Sequence, residues 1–360
     1  MNTTPSALRW PCGSAVHDAG SAAPVRGPRI AVVVPCFRVR RHVLGVLARI
    51  GPEVGRIYVV DDACPDGTGR YVETASADPR VRVLFHRANQ GVGGAMVTGY
   101  AAALADGADV VVKVDGDGQM DPSLVPALAA PILDGRADYT KGNRFFDIEH
   151  VRAMPSARLV GNAVLSFMSK LSSGYWTVFD PTNGFTAVSV RVLALLPLEK
   201  LSKRFFFESD MLFRLGTLRA CVLDVPMRAV YGDETSQLRI GRVLVPFLAG
   251  HVVNTAKRIF YSYFLRDFSL ASVQFLVGAA LLLFGTVFGL EAWIASATSG
   301  VTASTGTVML AALPVILGVQ LLLSFLAFDI AAAPSRAIHT LLNRGEALPA
   351  ARVLPVYADT

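Results

Sequence analysis

In "DGDGQMD" the side chains of Asp115, Asp117, Gln119 and Asp121 recur every second position. Two carboxylates separated by one glycine can turn toward a single hard cation, and the Gln119 amide oxygen adds a neutral ligand. Mg²⁺ or Mn²⁺ held by so few protein oxygens keeps positions open for a diphosphate and relieves charge as a leaving group departs. A solvated acidic turn would carry the same residues. The context favours a site: Val110, Val111, Val112 and Val114, interrupted only by Lys113, read as a covered core strand running into the motif.

The elements that must position these carboxylates follow from the hydrophobic pattern. Ile30 to Pro35 is a short apolar run closed by proline, and Arg38 to Ile50 carries Val39, Val43, Leu44 and Leu47 at helical spacing. Ile57 to Val60 predicts a second strand that ends in Asp61 and Asp62 and a turn rich in Pro, Asp and Gly. Val81 to Phe85 predicts a third strand, Gly94 to Ala105 a helix of small residues, and Val110 to Val114 the next strand. Strands alternate with helices in units of about thirty residues, which predicts an α/β fold with a mostly parallel sheet covered on both faces. Ligands of such sheets sit outside the carboxyl ends of the strands, so Asp61, Asp62, Asp115 and Asp117 are expected around one site.

The 360 residues are 52% hydrophobic with a mean hydropathy of +0.44, more apolar than an ordinary soluble enzyme. No charged residue occurs from Phe268 to Leu290 or from Ala292 to Phe328. The first run suffices for one bilayer crossing; the second opens with the polar "SATSGVTASTG", Ser296 to Gly306, before a span of about twenty apolar residues. Two transmembrane helices within 268–330 are expected, rather than a buried hairpin of a soluble domain. Lys257, Arg258 and Arg266 precede the first span and Arg336 and Arg344 follow the second, while the connection has only Glu291 nearby, which places both termini on the cytoplasmic side. Gly241 to Phe268 mixes aromatic residues with cations, as a helix lying in the membrane interface does, so residues 240–267 read as a juxtamembrane region. Residues 1–28 lack the apolar centre of a signal peptide and read as a flexible leader; 29–239 form the expected catalytic domain and 331–360 a cytoplasmic tail. Small residues in the two spans offer a surface for self-association.

Other signals are weaker. The net charge of +6 clusters partly beside the spans, which suits anionic lipid better than nucleic acid. Cys12, Cys36, Cys64 and Cys221 lack metal-type spacing. "NQGVGGAMVTG" invites a dinucleotide fingerprint, but Met96 stands where the third glycine belongs and the motif follows the third strand. His86 and His150 have no partner at metal-ligand spacing and read as surface or core residues.

"VVVPCF", "VVDDACPDGTG", "NQGVGGAMVTGY", "DGDGQMDP", "KGNRF", "DPTNGF" and "FFFESDM" follow one another in an order and spacing that resembles the family 2 glycosyltransferases of GT-A fold, in particular the branch of dolichyl-phosphate mannose synthases and polyprenyl-phosphate glucosyltransferases. The resemblance runs from about Ile30 to Tyr231. It implies that the first strand ends at Pro35, that Asp61 and Asp62 contact the nucleotide's base and ribose, and that Asp115, Asp117 and Gln119 hold the metal. It implies that Asp180 and Asn183 shape the sugar pocket, and that Arg144 lies near the donor diphosphate or lipid phosphate. Arg158 would do the same from an acceptor loop, and Arg228 and Ser236 loosely match a loop that closes over phosphates, with Gln237 where the usual lysine would be. The chain departs from the family's "DxSxDGT" pattern at Ala63 and Cys64.

The implied reaction moves a hexose from a UDP- or GDP-linked sugar to a polyprenyl phosphate, dolichyl or undecaprenyl. A lipid phosphate is largely ionised near neutral pH, because its second pKa is about 6, and needs no general base. A sugar hydroxyl as acceptor would need one, and Glu208 or Asp210 in "FESD" is then the candidate. Both would equally serve as acidic residues at a helix start. A third alternative is a membrane scaffold that binds nucleotide sugar without turnover. Which sugar and which base are used is not written in any one motif.

Overall fold

The valine runs form the centre of the sheet. In the computed structural model, which describes residues 27–146, 156–227 and 240–342, the strands are β1 (Ile30–Cys36), β2 (Val54–Asp61), β3 (Val81–Phe85), β4 (Val110–Lys113), β5 (Tyr139–Asn143), β6 (Thr186–Ser189) and β7 (Val222–Pro226). They make one sheet in the order β3-β2-β1-β4-β6-β5-β7. β1 pairs in parallel with β2 and β4, as do β2 with β3 and β5 with β7. Only β6 runs against its neighbours, β4 and β5.

The alternation of side chains along each strand divides two cores. Val33, Tyr58, Val60, Val111 and Tyr139 face α3 (Val92–Ala105) and, further along the chain, α7 (Phe207–Leu218). Val32, Val34, Val59, Val110 and Val112 face α1 (Val43–Ala48) and α4 (Val125–Leu133), with α2 (Thr68–Ala75) beside them. Burying each such side chain contributes about 1.5–3 kcal/mol. A charge at Val33, which is 0% exposed, would therefore break the sheet's attachment to α3. The first helix is shorter than the run from Arg38 to Ile50 predicts, because Arg38 takes left-handed backbone (φ 60°) and the helix begins only at Val43. α5 (Ser156–Ser173) and the one-turn α6 (Val190–Leu193) complete this part of the chain.

Three helices follow: α8 (Ile240–Phe260), continued by a π-helical turn (Tyr261–Arg266), then α9 (Leu270–Ser299) and α10 (Thr305–Ala331). α9 and α10 are long and apolar enough to cross a membrane. At about 1.5 Å per residue each exceeds the ~30 Å hydrocarbon core. The polar stretch between them is not a long loop: Thr298 and Ser299 bond back to Ile294 and Ala295 and prolong α9, while the Ser304 side chain accepts from the Thr307 N–H and opens α10. Gly278, Gly285 and Gly318 are consumed inside this hairpin. A Cβ on Gly278 would stand 3.1 Å from the Gly318 carbonyl, and one on Gly285 would stand 2.8 Å from that of Ala311. These positions bring the two backbones of the hairpin together.

One buried carboxylate ties the long helices to the sheet domain. Asp329, near the end of α10, accepts from both terminal nitrogens of Arg258 on α8 (2.7 and 3.0 Å), from Tyr263 (2.6 Å) and from the Trp176 indole N–H (2.8 Å). Trp176 lies in the segment between α5 and β6. That segment continues four residues later to Asp180.

Candidate active site

The strand register carries the acidic motifs to one edge. Pro35 lies opposite Val60 and Cys36 opposite Asp61, while Lys113, the last residue of β4, lies opposite Val33 and Thr186. Beyond Lys113 the chain turns through Asp115, Gly116 and Asp117, with Gly118 at φ 81°. Asp117 accepts from the Gln119 N–H at 3.0 Å, and Asp121 caps the turn that opens α4 by accepting from Ser123. Asp115 and Asp117 are half-buried and Gln119 is exposed.

Behind this loop sits a lysine. Lys113 is 1% exposed, and its ammonium donates to Asp115 at 2.7 Å and lies 3.5 Å from the Glu208 carboxylate. Burial works against its charge, but Asp115 and Glu208 outweigh that and hold its pKa above the usual lysine value. Gly184 makes room for this cluster: a Cβ there would collide with the Lys113 ammonium and stand 3.0 Å from Asp115. The glycine of "DPTNGF" is thus needed where two motifs meet.

From the other side of β6, Arg144 grips Asp180 with two hydrogen bonds, at 2.7 and 3.0 Å, and Asp180 is 0% exposed. Lys141, also fully buried, donates to the Asn183 carbonyl. Burial pulls its pKa down to about 8, Lys113 and Arg144 add to the fall, and Glu208 and Asp180 partly offset it. The Asn183 side chain is spent within the fold, bonding Gly142, the Met227 sulfur and the Phe185 N–H.

Residues 31–196 match the model of glycosyl transferase family 2. The undecaprenyl-phosphate mannosyltransferase of Micrococcus luteus is 31% identical over 206 residues, which are 56% of this chain and 84% of that protein. The chain belongs to glycosyl transferase family 2. A polyprenol monophosphomannose synthase of Mycolicibacterium smegmatis is 32% identical over 55% of this chain and 76% of its own. A UDP-N-acetylglucosamine–dolichyl-phosphate N-acetylglucosaminyltransferase of Methanococcus voltae is 28% identical over 61% of this chain and 92% of its own.

In this glycosyltransferase the two acidic strand ends differ. The Asp61 carboxylate accepts from the N–H groups of Cys64 and Gly69, and that of Asp62 from the His86 ring and the N–H groups of Gln90 and Gly91. Burial works to raise the Asp62 carboxyl, but the bonds from His86, Gln90 and Gly91 prevail and hold it below its ordinary value. Gly91 therefore serves this loop: it donates to Asp62 at 2.7 Å from a left-handed backbone (φ 86°). His86 is a core residue, shared between Asp62 and Thr98.

Glu208 and Asp210 part company. Two residues apart on a helix they leave on opposite faces. Glu208 points to Lys113, whereas Asp210 accepts from Ser202, Arg214 and Asn254 beside a separate cavity of about 490 Å³ between α7 and α8. Arg158 lies on α5, and Arg228 and Ser236 lie outside the described residues.

Among the described residues no cluster of three or more His, Cys, Asp or Glu side chains is assembled for a metal. Asp115 and Asp117 still fit Mg²⁺ or Mn²⁺, since such ions take one or two carboxylates and complete their shell with water and substrate phosphates. Sequence reasoning missed Lys113, Lys141 and Gly184. The available signal was a lysine inside a valine run, because a buried lysine needs a carboxylate or carbonyl partner.

Proposed function

We propose that this glycosyltransferase moves a hexose from a UDP- or GDP-linked donor to a polyprenyl phosphate at the cytoplasmic face of a membrane crossed by α9 and α10, with inversion at the sugar carbon. The observation that carries the proposal is the half-buried Asp115–Asp117 pair at the end of β4, backed by buried Lys113, in a chain that also holds two helices fit to cross a bilayer. Three relatives named for prenyl-phosphate acceptors support the acceptor class, and their sugars, mannose twice and N-acetylglucosamine once, leave the donor open.

Asp115 and Asp117, with the Gln119 amide, would hold Mg²⁺ or Mn²⁺, whose charge relieves the departing diphosphate. Lys113 fixes Asp115 in place and Asp180 fixes Arg144, so one metal-binding carboxylate and one guanidinium are oriented before substrate arrives. In this reading Pro35, Asp61 and Asp62 border the nucleotide and Asp180 and Asn183 the sugar, while the phosphate contacts that the resemblance implies for Arg158, Arg228 and Ser236 fall on side chains outside the described ones. An ionised lipid phosphate attacks without a base. Glu208 supports a second reading with a hydroxyl acceptor, because it alone of the two helix-start carboxylates reaches the cluster at Lys113.

The test is transfer of labelled sugar from a panel of nucleotide sugars to undecaprenyl phosphate or to undecaprenol, with and without Mn²⁺. Label in an acid-labile lipid only with the phosphate supports the proposal and names the donor. Equal transfer to the alcohol, abolished by Glu208→Gln, establishes the hydroxyl reading instead.

A further inference from the structure

A second cavity, of about 410 Å³, lies where the sheet domain, the π-helical turn and the end of α10 meet, and Gly174, Arg219, Arg258, Arg266, Asp267 and Asp329 line it. Its three arginines are not equivalent. Arg258 is spent on Asp329 and on the Leu171 carbonyl. Arg219 gives one N–H to the Ala332 carbonyl (3.1 Å) and Arg266 one to the Thr217 carbonyl (2.9 Å), so each closes a helix C-terminus with one of its five donors. Neither has a carboxylate partner among the described residues, and Asp267 offsets only one of the two charges. The remaining positive charge matches one phosphodiester.

Two further features specify the ligand. Arg219 holds left-handed backbone (φ 59°, ψ 35°) at the end of α7, a place where glycine fits without strain, so a guanidinium is carried where the backbone does not ask for a side chain. Beside Arg266 the chain exposes Leu265, Phe268 and Leu270, at 65%, 64% and 72%, and Phe328 lines the cavity itself. A free phosphate has no use for that apolar rim, whereas a phospholipid lays its acyl chains along it.

We infer that Arg219 and Arg266 form a binding site for the phosphate of an anionic phospholipid headgroup, separate from the Asp115 site. The inference takes from the proposed function only that α9 and α10 cross a bilayer.

Carbonate extraction of membranes containing the full chain tests that premise by itself: release into the soluble fraction sinks it, whatever the lipid result. The site is tested by titrating the full chain in non-ionic detergent with phosphatidylglycerol, phosphatidylcholine and inorganic phosphate, reading bound lipid by native mass spectrometry. Phosphatidylglycerol is expected to bind in preference to phosphatidylcholine, and the pair Arg219→Gly and Arg266→Gln to weaken it about thirtyfold while phosphatidylcholine is unaffected. Glycine adopts the backbone of Arg219 freely, so cooperative melting of the variant is expected to persist. Equal affinity of wild type and variant for phosphatidylglycerol overturns the site. Displacement of phosphatidylglycerol by equimolar inorganic phosphate overturns the lipid in favour of the free ion.

Discussion

At the end of β2, Asp61 and Asp62 are 4% and 3% exposed, and five donors of the chain itself close on them. At the end of β4, Asp115 and Asp117 stay half-buried, with Asp115 leaning on a lysine from behind. Both pairs terminate parallel strands of one sheet edge, two places apart in strand order. The difference teaches that an acidic strand end has two uses. A carboxylate that receives backbone N–H groups builds the loop around it; one that faces outward with a cation behind it keeps capacity for a ligand.

The largest effect is expected at the outward pair. Asp117→Ala lowers sugar transfer about a thousandfold, because several kcal/mol of charge relief go with it, and leaves the melting curve in place. Wild-type turnover of the purified variant under saturating Mn²⁺ would break the comparison. Asp62→Ala has the reverse signature: three donors lose their acceptor in the interior, and denaturant unfolding shows a loss of about 3 kcal/mol. Lost turnover at undiminished stability would mean that Asp62 belongs with Asp117 after all. Lys113→Met is intermediate, lowering turnover about tenfold to a hundredfold, and its effect is not additive with Glu208→Gln in a double-mutant cycle, since both touch one ammonium.

The smallest effect sharpens the comparison by pH. His251 on α8 is 1% exposed between Phe206 and Phe247, and burial lowers its pKa to about 4. The unfolded chain therefore binds a proton first as pH falls below 6.5, and the fold loses about 2 kcal/mol between pH 6.5 and 5. Asp62, held low, stabilises the fold above the ordinary carboxylate value and loses that contribution only at more acid pH, below about 4. Unfolding of His251→Phe followed from pH 7 to 5 should lack the first loss; an unchanged acid profile removes His251 as its source.

The inner strands and the outward pair were legible because they depend on near neighbours in sequence. Val32 to Val34 and Val110 to Val112 state their burial on both faces, and Asp115, Gly116 and Asp117 state a turn with two carboxylates. β6, four residues long and antiparallel, was not legible, since its place is set by partners in β4 and β5 rather than by any run of its own. Lys113 read as an interruption because its second partner, Glu208, is 95 residues away and arrives only when α7 packs on the sheet. Glu208 and Asp210 were read together although helix geometry already separates residues two apart.

The tie at Asp329 sets a length. From Trp176, bonded to Asp329, to Asp180, bonded to Arg144, the chain has four residues to spend, at most about 14 Å when fully extended. With α10 in a bilayer, the Arg144 pair is moored to the helix end through that stretch and the side chains at its two ends. It cannot drift off into bulk water as a domain on a long linker would. An acceptor whose phosphate rides at the same depth then finds the catalytic centre by sliding sideways, so the encounter becomes a search over a plane rather than through a volume.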